Sequence, residues 1–275
     1  MMFLAEDAER VELALPGSMG GSVTISWAAR SHVGLRREVN EDSVVAQPPI
    51  FAVADGMGGH AAGDRASAAV ATSLAAAAEE GRLANAEDLD AAILDAAAAI
   101  DVLSHGLPTG AGTTLTGVLI TELENTPMLL IFNIGDSRVY GLTAQGLSRI
   151  TVDHSVVQEL IDAGRLDPAD AEDHPESNII TRSIGFEEDP KPDLWGVALT
   201  AGLRILVCSD GLTREVTDSQ IGDLLGRGIP TGATADSLLD AALSGGGRDN
   251  ISIIVLDVLE TGEPEGSPLP GDGVR

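Results

Sequence analysis

The chain has 275 residues, enough for a sizeable core in one large domain or two small ones, and its 44% hydrophobic and 21% charged residues are the balance of a folded globular protein. With 16 Lys and Arg against 43 Asp and Glu, the formal net charge is −27, a surface that repels nucleic-acid phosphates and anionic lipid, so neither is expected as a partner. The single cysteine, Cys208, excludes an intrachain disulfide and a thiolate metal site.

From the N-terminus, residues 1–21 are acidic and end in the turn-prone run PGSMGG, which predicts a flexible leader. The leader lacks the basic flank and continuous apolar run of a signal peptide, and no stretch of 18 apolar residues follows it. A cytoplasmic chain is therefore expected, in keeping with the lone cysteine. Strands are predicted next in SVTISWA (22–28), DSVVA (42–46) and IFAVAD (50–55), each short and either apolar or alternating. Two Ala-rich stretches follow, Ala61–Glu80 and Ala86–Ser104; Ala favours helix, and helices of that length need a broad sheet to cover.

TLTGVLI (114–120), MLLIFNI (128–134) and SRVYGL (137–142) come in succession with only turn residues between them. That pattern predicts antiparallel meanders rather than repeated βαβ units. A helix near Ser155–Ala163 precedes an Asp-, Glu- and Pro-rich, poorly periodic segment from Gly164 to Pro190. The strand RILVCSD (204–210), helices over Asp218–Leu225 and Ala233–Leu243, and the strand ISIIVLDV (251–258) complete the pattern. Residues 260–275 hold several Pro and Gly without apolar periodicity and predict a disordered tail, leaving 22–259 as one domain. Several strands are apolar on both faces, so each sheet face must be covered. Two antiparallel sheets packed together with helices outside, an α+β fold, meet that demand.

The placing of the aspartates carries the chemistry. Three apolar strands each run into an Asp beside a Gly, at Asp55, Asp136 and Asp210, and Asp249 stands just before the strand 251–258. In antiparallel sheets the end of one strand lies beside the start of the next, so these four carboxylates can converge at one edge. Clustered carboxylates raise one another's pKa unless a cation neutralises them. An all-oxygen ligand set points to a hard ion such as Mg²⁺, Mn²⁺ or Ca²⁺. A lone Asp-Gly is usually a hairpin turn, but four such sites, each against a buried strand, favour metal binding.

At this point the sequence resembles the metal-dependent protein phosphatases of type 2C in their compact bacterial form. The resemblance rests on GLRREVNEDS (34–43), FAVADGMGGHAAGDRAS (51–67), AGTTLTGVLI (111–120), FNIGDSRVYGL (132–142), TVDHSVVQELIDAGRL (151–166), ILVCSDGLTREVTD (205–218) and GGGRDNISIIVLDV (245–258). It implies two stacked antiparallel sheets flanked by antiparallel helix pairs, an α-β-β-α sandwich. It also implies hydrolysis of phosphoserine and phosphothreonine in proteins by a water activated on two tightly held Mn²⁺ or Mg²⁺ ions, without a covalent intermediate, with a third, weaker ion alongside. Phosphorylated proteins, and the Ser/Thr kinases that modify them, are the implied partners of a monomer.

The resemblance assigns roles by position. Asp55 would bridge two ions, with the Gly56 carbonyl on one of them and Asp210 and Asp249 completing the other. Asp136 would hold the third ion. Glu41 and Asp42 would take hydrogen bonds from waters of the ions, and Asn250 would support Asp249. Arg37 matches the family arginine that grips the substrate phosphate, with Arg36 the competing candidate. His60 is the best placed histidine to protonate the leaving oxygen, although it could instead cap the helix that follows it. In the family the stretch near 164–190 is a flap beside the active site. Two rival readings are a two-metal nuclease, which the net charge opposes, and a catalytically weak phosphoprotein-binding relative. Retention of Asp55, Asp210, Asp249 and Arg37 favours activity over the latter.

Overall fold

Side chains alternate across a strand, and here both sides of the central strands are apolar, so the chain must sandwich them. The computed structural model describes residues 1–15, 21–58, 62–79, 81, 83–105, 107–123, 126–171, 174–187 and 189–262. In chain order the elements are β1 (Phe3–Ala5), β2 (Ala8–Ala14), β3 (Ser22–His32), β4 (Asp42–Gln47), β5 (Ile50–Gly58), α1 (Gly63–Glu79) and α2 (Ala86–Ser104). There follow β6 (Ala111–Thr113), β7 (Leu115–Leu123), β8 (Thr126–Ile134), β9 (Arg138–Thr143), β10 (Gly146–Arg149) and α3 (Val156–Asp162). The chain continues through β11 (Asp193–Ala198), β12 (Arg204–Cys208), α4 (Asp210–Thr213), α5 (Asp218–Leu225), α6 (Thr231–Gly245) and β13 (Ile251–Gly262).

One sheet has the order β1-β4-β5-β7-β8-β11 with β6 paired to β5, and the other the order β10-β9-β12-β13-β3-β2. Apart from β1 beside β4, every ladder is antiparallel. The alternation sorts residues into three apolar layers. Along β5, Ile50, Ala52 and Ala54 pack with Leu74 of α1 and Ile93 of α2, while Phe51 and Val53 face the other sheet. Phe51 meets Trp27 edge to face, with ring centroids 5.5 Å apart. Along β13, Ile254, Leu256 and Val258 point into the layer between the sheets, and Ile251, Ile253 and Val255 point toward Leu238 of α6. The fold is the α-β-β-α sandwich expected. α2 begins where expected because Asn85 caps it, its side chain accepting from the Glu87 and Asp88 amides at 2.9 and 3.1 Å. Among the described residues no helix is long and apolar enough to cross a membrane.

Two expectations at the chain ends need correction. The leader expected to be flexible is paired over residues 3–14: β1 lies against β4, and β2 against β3 in the opposite sheet. Its acids misled because they alternate; Val11 and Leu13 turn inward on the inter-sheet layer while Glu9, Arg10 and Glu12 face solvent, as befits a charge-protected edge strand. At the other end β13 extends through Gly262, so residues 260–262 belong to the sheet; residues 263–275, the rest of the expected tail, lie outside the described residues.

Candidate metal centre

Backbone pairing places the first carboxylates. In the β4–β5 ladder Asp42 stands directly opposite Asp55. The Asp55 amide donates to Thr114 Oγ1 at 3.0 Å, and its carbonyl accepts from Thr113 Oγ1 at 2.9 Å, which fixes the end of β5 against the junction of β6 and β7. Asp136 sits in the turn between β8 and β9, Asp210 opens α4 directly after β12, and Asp249 precedes β13. The β12 and β13 ends are neighbours in one sheet, and the β4 and β5 ends reach them from the other.

Two glycines make this approach possible. A Cβ on Gly56 would lie 2.1 Å from the Gly63 carbonyl oxygen and 2.5 Å from that of Glu41; one on Gly211 would lie 1.9 Å from the Asn250 carbonyl oxygen. All three distances are far below any tolerable contact, so only glycine lets these backbones close on one another. Asn250 then ties the edges together. Its Oδ1 accepts from the Glu41 amide at 2.8 Å, its Nδ2 donates to the Val33 and Val39 carbonyls at 3.0 Å, and its amide donates to Asp249 Oδ1 at 2.9 Å.

The carboxylates feel one another. Burial, then the charges of Asp42, Asp210, Asp136 and Asp249, push Asp55 well above the usual carboxylate range. Burial raises Asp42 to about 7, although Ser209 Oγ donates to its Oδ2 at 3.0 Å; Asp210 and Asp249 push the same way. Asp136 is raised to about 8 by burial and by Asp210 and Asp153. Burial also raises Asp210, opposed by Arg214, and burial raises Glu41, opposed by Arg37. The Oδ1 atoms of Asp42, Asp64, Asp136 and Asp210 are buried without a hydrogen-bond partner. A set of buried, mutually repelling carboxylates with unsatisfied oxygens fits a hard cation.

Among the described residues no three carboxylates close on a single point at ligand spacing; guanidinium groups meet their charge instead. Arg37 Nη2 donates to Asp249 Oδ2 at 2.8 Å. Arg214 lies 2.5 Å from Asp210 Oδ2 and 3.6 Å from Asp249 Oδ2. Of the two adjacent arginines, Arg37 is the one that reaches the cluster, and it does so from the irregular segment after the 34–36 turn.

The sequence-derived residues Glu41, Asp42, Asp55, Gly56, Asp136, Asp210, Asp249, Asn250 and Arg37 are thus brought together where strand ends of the two sheets meet. His60 lies outside the described residues. Sequence reasoning missed Arg214 and Asp64. The signal for Arg214 was its spacing, four residues after Asp210 across one helical turn. A cleft of about 480 Å³ opens beside the cluster, lined by Asp136, Asp210, Arg214 and Arg248 and, from the 164–190 segment, by Ser177 and Asn178.

The family profile described as protein phosphatase 2C matches residues 36–235. The chain is 40% identical over 254 residues to the serine/threonine protein phosphatase PstP of Mycobacterium tuberculosis, a match covering 90% of this chain and 48% of the relative. The chain thus spans about half that relative's length. It is 34% identical to the protein phosphatase PhpP of Streptococcus pneumoniae, covering 83% of this chain and 95% of PhpP. A crystal structure of the PstP catalytic domain in complex with two manganese ions superposes with a TM-score of 0.75 at 38% identity, covering 86% of this chain and 99% of that one.

Proposed function

Since the chain belongs to the protein phosphatase 2C family, we propose that it removes phosphate from phosphoserine and phosphothreonine in proteins, using divalent cations held at the described carboxylate edge. The observation that carries this reading is the set of buried carboxylates whose pKa values are raised together while Oδ1 atoms of Asp42, Asp136 and Asp210 lack partners.

Asp55, Asp210 and Asp249 with the Gly56 carbonyl would hold two cations, and Asp136 a third. Manganese is the first metal to try, because the similar PstP catalytic domain was crystallised with two manganese ions. When bound, such ions make a hydroxide available near neutral pH and offset charge on phosphoryl oxygens. The chain's own part is binding and orientation. Arg37, half exposed at the rim and paired with Asp249, is placed to turn its fork onto an incoming phosphate. Asn250 holds the strand edges in register, and Ser209 keeps Asp42 turned toward the centre. Phosphoproteins are the substrate class, the kinases that modify them the opposing partners, and a monomer the working state. The Ser177–Asn178 side of the cleft is where the peptide around the phosphate would lie.

The test is phosphate release from a phosphothreonine peptide with Mn²⁺ and then with EDTA, comparing wild type with Asp55→Ala. Metal-dependent release that vanishes in the mutant is expected. Near-normal turnover by Asp55→Ala would sink the proposed bridge, and no release from several peptides would sink the activity.

A further inference from the structure

Among the described residues, two guanidinium groups are paired with Asp249, where the family resemblance accounts for one. Arg37 and Arg214 converge on the same atom, Asp249 Oδ2, at 2.8 and 3.6 Å, arriving from the segment before β4 and from the end of α4. The Arg214 backbone is anchored: its amide donates to the Asp210 carbonyl at 2.9 Å, and its own carbonyl accepts from Arg248, which is also paired with Glu215. Its head is held differently. The partners of the guanidinium are Asp210 and Asp249, the side chain is about one-third exposed (35%), and it lines the cleft beside Asp136 and Asp210.

We propose that Arg214 is a second phosphate-gripping residue: from its place between Asp210, Asp249 and the cleft, it turns its fork to the anion there once a cation neutralises those carboxylates. The proposal rests on the phosphatase reading and extends it to a residue that reading leaves idle. The physical basis is competition for carboxylate charge. A divalent cation drawn to the unpartnered Asp210 Oδ1 neutralises that carboxylate and repels the guanidinium on its other oxygen, Oδ2, which loosens the hold on Arg214. The displaced head stays tethered within the cleft, where a phosphate with several acceptor oxygens can take one fork from each side.

The test is calorimetric. Mn²⁺ and then inorganic phosphate are titrated into wild type, Arg214→Gln, Arg214→Lys and Arg37→Gln. In the Mn²⁺-loaded protein, phosphate should bind about tenfold more weakly to Arg214→Gln than to wild type, the loss expected for a charge-assisted hydrogen bond. Arg214→Lys, which keeps the charge but not the fork, should fall between them. Mn²⁺ itself should bind Arg214→Gln at least as tightly as wild type, because a competitor is gone. Equal phosphate affinity in wild type and Arg214→Gln, no phosphate binding to wild type, or weaker Mn²⁺ binding in both Arg214 variants would each overturn the proposal. Hydrolysis of p-nitrophenyl phosphate by wild type with Mn²⁺ tests the phosphatase reading separately. Its absence would sink that reading and leave the phosphate comparison to decide the role of Arg214.

Discussion

Asp42 and Asp136 set the pH behaviour at the scale of single residues. Burial first, and then neighbouring carboxylates, raise Asp42 to about 7 and Asp136 to about 8, from an ordinary value of 3.8. Between these limits the folded state keeps protons that the unfolded chain has released. Unfolding free energy in EDTA should therefore be highest near the ordinary carboxylate pKa and fall as pH climbs through the raised values. Thermal unfolding from about pH 5 to about pH 8 should show a falling midpoint, and added Mn²⁺ should restore most at the alkaline end. A midpoint in EDTA that rises across that range would contradict the electrostatics described. The four central aspartates were legible in sequence because each abuts an apolar strand beside a Gly or an Asn. Arg214 left only its spacing from Asp210 as a signal, because α4 is a four-residue helix too short to leave any periodicity.

At the scale of elements, the centre depends on how closely strand ends approach. Gly211→Ala would drive a Cβ to 1.9 Å from the Asn250 carbonyl oxygen. Separation of α4 from β13 should cost about 2 kcal/mol or more and weaken Mn²⁺ binding with it, as seen by denaturant unfolding and calorimetry. Asn85→Ala is the contrasting case. It removes the α2 cap, far from the site in the helix layer, and should cost about 1 kcal/mol while leaving Mn²⁺ affinity unchanged. Equal loss of metal affinity in both variants would mean that the site answers to global stability and not to local closure. The long helices and the β7–β8–β9 meander could be read from composition and turn residues. β2 and β11 could not: each is an edge strand, half exposed, whose charged or small residues dilute the alternation.

For the molecule as a whole, a net charge of −27 surrounds a centre fitted for cations. Such a field draws divalent ions in and is screened by salt, so raising NaCl from about 0.05 M to about 0.5 M should weaken apparent Mn²⁺ affinity several-fold. Titration in both salts checks this; a salt-independent affinity would confine the attraction to the buried carboxylates alone. The same global view gives the lone cysteine a use. Cys208 is fully buried in β12, a central strand, two residues before Asp210, and burial pushes its thiol up to about 12. A thiol so shielded is inert until the strand opens. Its rate of alkylation by a small reagent therefore counts opening events of the very strand that delivers Asp210, with no label to introduce and no other thiol to confuse the signal.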